Sequence, residues 1–169
     1  PLAAAVLVTD APEFAQAVAI EVERLAASAY HGARVREALA GQQSAIVIVA
    51  DLRVAAAFSN AYGPEHLSIQ TEAPSKVLDH IENAGAIFLG AYSPVSLGDY
   101  VAGSNHVLPT GGQSRFAPGL GAYTFLRPQQ VVNYDRQALR EVEAQIVALS
   151  RAENLPAHGA AVSARFDTA

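Results

Sequence analysis

Short apolar runs alternate along this chain with segments patterned as helices, and that alternation restricts its fold more than any other feature. Leu2 to Thr9 is a continuous run rich in Val and Leu. Asp10-Ala11-Pro12-Glu13 follows it with a capping residue, an early proline and an acid three places on, which marks a helix start. Phe14, Val18, Val22 and Leu25 then recur at i, i+4, i+8 and i+11, so this helix lays one apolar stripe on a sheet and ends before Gly32. A second helix spans Arg34 to Ala40 and stops at Gly41. Ala45 to Ala50 is apolar on both alternating faces, the pattern of a buried parallel strand, and Asp51 is placed to cap an Ala-rich helix. His66 to Thr71 alternates like a strand, Ala73 to Asn83 reads as a helix, and Ala86 to Gly90 as a further buried strand. Four strand and helix alternations predict α/β layers.

From Ala91 to Pro128 the texture changes to a Ser/Thr/Pro-rich stretch punctuated by six glycines, Gly98, Gly103, Gly111, Gly112, Gly119 and Gly121. A loop region of this length is functional or disordered, and the apolar Tyr100-Val101-Ala102 and Tyr123 to Leu126 favour order. Asp135 then caps a helix whose Leu139, Val142, Ile146 and Leu149 form a narrow seam of the kind that packs on another chain or domain. Residues 159–169 alternate in polarity and are expected to add a strand or arm. The organisation expected is therefore an α/β domain with catalytic loops over residues 1–132 and a helix with an arm over residues 133–169.

Composition closes several functional classes. Lys+Arg 11 against Asp+Glu 16 leaves a net charge of −5, without the basic patch that phosphate neutralisation needs, so nucleic acid is not an expected partner. No run approaches the roughly 18 apolar residues of a membrane span, and the opening residues lack a basic n-region and a long h-region. The absence of cysteine excludes a disulfide framework, a thiolate metal site and a thiohemiacetal route for aldehyde chemistry, and it suits a cytoplasmic setting. The chain opens Pro1-Leu2 and contains no methionine, and it reads as a piece of a longer polypeptide.

Candidate chemistry gathers at a few polar positions. Tyr62-Gly63-Pro64-Glu65-His66 is a turn that presents a carboxylate beside an imidazole, a pair able to exchange protons near neutrality. Asp99 follows a buried strand, where open α/β sheets place ligand sites, though a helix N-cap role for it is equally compatible. His106 ends a glycine-rich approach in which small residues let the backbone come close to a ligand. Glu153 and His158 flank a break at the end of the last helix. Asp, Glu and His are the donors left to a metal when thiolates are missing, yet none of these spacings is a metal signature. Phosphate-binding glycine loops are missing too, apart from the lone Gly119-Leu120-Gly121.

Taken in order, Tyr62 to Leu67, Ala84 to Gly90, Ser93-Pro94, Gly98-Asp99-Tyr100, Gly103, Asn105 to Thr110 and the closing Ala152-Glu153 to His158 resemble histidinol dehydrogenase across essentially the whole chain. The resemblance implies an incomplete Rossmann-like parallel sheet with flanking helices and a C-terminal helical dimerisation tail. It implies a zinc-dependent homodimer that oxidises L-histidinol to L-histidine through bound histidinaldehyde, with NAD+ reduced in each of two steps. Carried onto this sequence, His66 is similar to the general base and Glu65 to the base that activates water. Asp99 and His158 are similar to zinc ligands that also hold the substrate. Glu153 is similar to a substrate-binding carboxylate, and His106 to an active-site histidine near the substrate. The family shares sites between subunits, so Glu153 and His158 are expected to serve the neighbour's pocket. A Gln-Ala-Glu-His zinc segment and the NAD-binding domain lie upstream in the family and are not in this sequence, so these residues alone are expected to bind zinc poorly and not to turn over NAD+.

Two other classes remain open at this point. A noncatalytic dimerisation or binding module would keep the Leu139 to Leu149 seam without needing Glu65, His66 and Asp99 to converge. A zinc-dependent oxidoreductase of the same fold acting on another amino alcohol would keep the base and metal, and a substrate panel separates it from the first reading.

Overall fold

The computed structural model describes residues 2–167; residue 1 of the expected first domain and residues 168–169 of the expected arm lie outside the described residues. Its chain is a mixed α/β fold that divides into two compact units with the boundary between Phe125 and Leu126.

In the first unit, β1 (Val6–Thr9) pairs in parallel with β2 (Ala45–Ile48), Val6 opposite Ala45 and Thr9 opposite Ile48. Two helices, α1 (Pro12–Ser28) and α2 (Gly32–Leu39), lie between these strands in sequence. After α3 (Leu52–Tyr62), β3 (His66–Ile69) pairs in parallel with β4 (Ala86–Leu89), with α4 (Pro74–Leu78) between. The parallel layers expected from the sequence are thus present as two separate two-stranded sheets.

Local chemistry explains where these elements start and stop. Asp51 caps α3 as expected, its Oδ1 accepting from the backbone N–H groups of Arg53 at 2.8 Å and Val54 at 2.9 Å. Gly63, at φ 64, ends the same helix in the left-handed conformation that glycine adopts without strain.

Several expectations are corrected. Asp10 does not cap α1: Ala11 holds the cap position, Thr9 Oγ1 accepts from the Ala11 N–H at 3.2 Å, and Pro12 opens the helix with no N–H to satisfy. The buried stripe of α1 is centred on Ala15 and Ala26, while Phe14 and Leu25 are half exposed. Val18 and Val22 of the expected stripe remain half-buried. Nor is β2 buried on both faces, since Ile46 and Ile48 are 44% and 56% exposed on a strand with one partner.

The helix expected over Ala73 to Asn83 stops at Leu78 because Asn60 captures the segment that follows. Its Oδ1 accepts from the N–H groups of Glu82 and Asn83, and its Nδ2 donates to the His80 carbonyl at 2.9 Å. Those backbone groups find side-chain partners and need no helix.

Within the stretch expected to be loop, a short helix, α5 (Val95–Tyr100), follows β4. Turns of 3-10 helix at Gln113–Arg115 and Ala122–Phe125 order the remainder.

The second unit is a helical hairpin. Asp135 caps α6 (Arg136–Ala152) through the Ala138 N–H at 2.8 Å, and Asn154, at φ 58, turns the chain from the end of α6 toward α7 (Pro156–Ser163). The strand expected from residue 159 onward is replaced by helix over residues 159–163. Pro156 starts α7, and Gly159 lies so close to α6 that a Cβ there would come within 2.6 Å of Ser150 Oγ. That approach overrides the alternating pattern. The face of α6 that meets α7 includes Glu143, Val147 and Ser150, which leaves Leu149 of the expected seam 64% exposed. Arg140 stacks its guanidinium over the Phe166 ring at 3.8 Å, closing the end of the hairpin. Among the described residues no helix is long and apolar enough to cross a membrane.

Candidate active site

The site begins with a strand start. His66 is the first residue of β3 and pairs with Ala86 on β4. The carbonyls of Pro64 and Glu65 accept from the N–H groups of Gly85 and Ala86, both at 2.9 Å. A Cβ at Gly85 would meet the Glu65 carbonyl oxygen at 2.5 Å, so this glycine permits the close strand approach that fixes the Glu65 and His66 backbone.

The third polar group arrives from beyond the carboxyl end of β4. A turn through Gly90, at φ 75, leads into α5, and Asp99 stands in its last turn. The N-cap of that helix is Pro94, so the capping role open to Asp99 from sequence is excluded. A carboxylate at the end of a helix receives no support from the backbone dipoles there. What it does face is His66.

The imidazole of His66 lies between two carboxylates. Glu65 Oε1 is 3.8 Å from Nδ1, and Asp99 Oδ1 is 3.9 Å from Nε2. Both separations are ion-pair distances beyond hydrogen-bond reach. Nε2 is itself buried and has no hydrogen-bond partner among the described residues, although the His66 side chain as a whole is 26% exposed. An imidazole nitrogen that the protein leaves without a partner, beside two carboxylates, is chemically able to exchange a proton with a ligand that reaches it. Either flanking carboxylate can steady the ring when it carries a charge.

His106 is placed differently. It sits exposed at the tip of a turn that Asn105 closes by accepting from the Val107 N–H at 2.8 Å, and no hydrogen bond or ion pair joins it to His66 among the described residues. Beside the cluster, a groove of about 710 Å³ runs along β4 and is walled by Ser93, Ser104, Asn105 and Tyr123; the three clustered residues are not part of its wall. In the second unit Glu153 holds the position that closes α6, and His158 lies exposed in the first turn of α7.

Neither of the groups implied by the resemblance finds a whole site here. A zinc ion takes four donors, and the described residues contain no group of three or more His, Asp or Glu side chains arranged to hold a metal. For a dinucleotide, the Gly119 to Gly121 turn is not a phosphate cradle. The Leu120 N–H donates to the Val107 carbonyl and the Gly121 N–H to Thr124 Oγ1, so these amides are used internally.

Two neighbours of the cluster were not singled out by motif. Phe88 brings its ring centroid to 6.1 Å from that of His66, and Ser104 Oγ donates to the Gly98 carbonyl at 3.3 Å. Strand register was the available signal for Phe88: two residues beyond Ala86, the partner of His66, it shares the imidazole's face of the sheet.

Comparison with known proteins gives consistent matches. The family model described as histidinol dehydrogenase matches residues 1–166. A curated histidinol dehydrogenase from Leifsonia xyli subsp. xyli is 67% identical over 165 residues, which cover 98% of this chain and 38% of that protein. One from Corynebacterium diphtheriae is 52% identical over 166 residues, covering 98% and 37% respectively. Among solved structures, the crystal structure of histidinol dehydrogenase from Elizabethkingia anophelis superposes with a TM-score of 0.80 at 31% identity, covering 96% of this chain and 37% of that one. The chain thus spans little more than a third of the length of these relatives.

Proposed function

This chain belongs to the histidinol dehydrogenase family, and on that premise we propose that its residues supply the proton-transfer part of a site that oxidises L-histidinol to L-histidine. The observation that carries the reading is the buried, unpartnered Nε2 of His66 between the carboxylates of Glu65 and Asp99. His66 takes the proton of the substrate hydroxyl as the carbinol carbon loses hydride, leaving the aldehyde. Glu65 then takes a proton from the water whose oxygen adds to the aldehyde carbon, while His66 returns its proton to the former carbonyl oxygen, giving a hydrate and a neutral imidazole again. His66 deprotonates that hydrate as the second hydride leaves, and the carboxylic acid results. NAD+ is the hydride acceptor that the family implies, bound by residues outside those described here.

The carboxylate-activated water explains how an aldehyde can be carried to an acid by a chain without cysteine. Asp99 and His158 are proposed as two of the zinc donors, with the rest supplied from outside this sequence, and the same two side chains hold the substrate. Glu153 and His106 are proposed as further substrate contacts. The second unit is proposed as a dimerisation tail that delivers Glu153 and His158 to the neighbouring subunit's pocket, in a cytoplasmic homodimer. Alone, these residues are expected neither to hold zinc tightly nor to reduce NAD+.

The test is histidinol-dependent NAD+ reduction by the zinc-loaded full-length protein, counting NADH per histidinol, with His66→Asn beside it. Two NADH per substrate, falling by about 10² to 10⁴ in rate in the variant, is the expected result. No turnover by folded, zinc-loaded wild type would overturn the substrate. Saturable zinc binding with NADH production by this chain alone would overturn the division of the site.

A further inference from the structure

His66 and Asp99 stand on different elements, β3 and α5, so their separation depends on how those elements pack. Asp99 belongs to α5, and α5 lies against β4 at Gly98, which is buried. A Cβ built on Gly98 would come within 2.7 Å of both Cε1 and Cζ of Phe88. The far edge of this ring is therefore in contact with the backbone that carries Asp99. The same ring lies tilted at 30° to the His66 imidazole, at 6.1 Å between centroids, and Phe88 is only 9% exposed. One rigid aromatic group thus touches the helix that bears the carboxylate and neighbours the imidazole that faces it. Ser104 Oγ, donating to the Gly98 carbonyl, holds the helix to the following loop at the same point.

We propose that Phe88 is a positioning residue, a spacer seated in the gap left by the missing side chain of Gly98, and that their fit fixes the separation of His66 Nε2 from Asp99 Oδ1. The inference rests on the reading of His66 as the base for its kinetic consequence, though not for its geometric one. A methyl group at Gly98 would stand 2.7 Å from the ring, closer than van der Waals contact allows, so α5 and the ring must move apart. Shortening the ring to leucine removes the atoms it would strike. The two substitutions are therefore expected to offset each other.

The experiment uses the full-length zinc-loaded protein with Gly98→Ala, Phe88→Leu and the double variant. Each is measured for kcat and for the KM of NAD+, and each is crystallised. Gly98→Ala is expected to lower kcat by about 10² while the KM of NAD+ stays within about twofold, as a displacement of about 1 Å at a reacting group does. Phe88→Leu alone is expected to lower kcat about tenfold by letting α5 settle inward, and the double variant to return to within about threefold of wild type. In the crystals the Nε2 to Oδ1 separation is expected to lengthen in Gly98→Ala and to be restored in the double variant. A role in stability alone would lower the melting temperature of the variants without this compensation in kcat, and that pattern overturns the proposal. So does an unchanged separation in the single variants. Should Gly98→Ala fail to fold, Phe88→Leu decides by the same kcat and separation. Should wild type fail to oxidise histidinol, the reaction assignment falls, and the crystallographic separations decide this inference by themselves.

Discussion

Nε2 of His66 and Oδ1 of Asp99 stand 3.9 Å apart, within reach of each other's charge and too far for a direct hydrogen bond. Asp99→Asn keeps the shape of the side chain and removes its charge. In the full-length protein we expect histidinol turnover to fall at least about 10²-fold and zinc content per subunit to fall with it. Stability should change by less than about 0.5 kcal/mol, because the side chain is 40% exposed. Steady-state kinetics, metal analysis and a denaturant melt on the same preparations check the three expectations together.

Asn60 carries a structural duty that its place within a helix conceals. Its side chain satisfies the N–H groups of Glu82 and Asn83 and the carbonyl of His80. Asn60→Ala hands these largely exposed backbone groups over to water, and unfolding in urea is expected to show a loss of about 0.5 to 1.5 kcal/mol. Amide exchange at Glu82 and Asn83 should quicken in the variant. Unchanged exchange there would remove Asn60 as the cause of the short α4.

The hairpin of the second unit is sensitive to acid at one position. A hydrogen bond from Ser163, and then the Arg140 guanidinium, hold the Glu143 carboxyl below its ordinary value of 4.5. A carboxyl whose folded pKa is lowered stabilises the fold fully above its unfolded pKa, and that contribution is lost as pH falls through the folded value. Melting temperature is therefore expected to decline below about pH 4.5 more steeply in wild type than in Ser163→Ala, which has already lost the larger of the two supports. Parallel decline in both proteins would assign the acid sensitivity to other groups.

What could be read from the sequence was whatever depends on near neighbours in the chain. Asp51 and Asp135 cap the helices they precede, because a cap needs only the next three residues. The strands at His66 and Ala86 followed from their apolar patterns, and the meeting of Glu65, His66 and Asp99 was anticipated from the motifs that resemble the family. The misreadings arose where distant groups intervene. Asn60 shortened α4 from across the fold, and Gly159 was drawn into a helix by Ser150 and Val147 although its segment alternates like a strand. In the stripe of α1, Ala15 and Ala26 are buried where Phe14 and Leu25 were expected, while Val18 and Val22 stay half-buried as read. The Phe88 and Gly98 contact carries no local signature at all.

The neighbours of His66 differ in how the chain brings them there. Glu65 is next to it in sequence and accompanies it wherever β3 forms, whereas Asp99 arrives only after β4 has paired and α5 has seated on Phe88. The cluster is thus half local and half long-range in contact order, and its long-range half carries the greater loop-closure cost during folding. An opening of α5 alone would carry Asp99 away while leaving the Glu65 and His66 pair assembled, so the two carboxylates beside the imidazole belong to separately reversible steps of assembly.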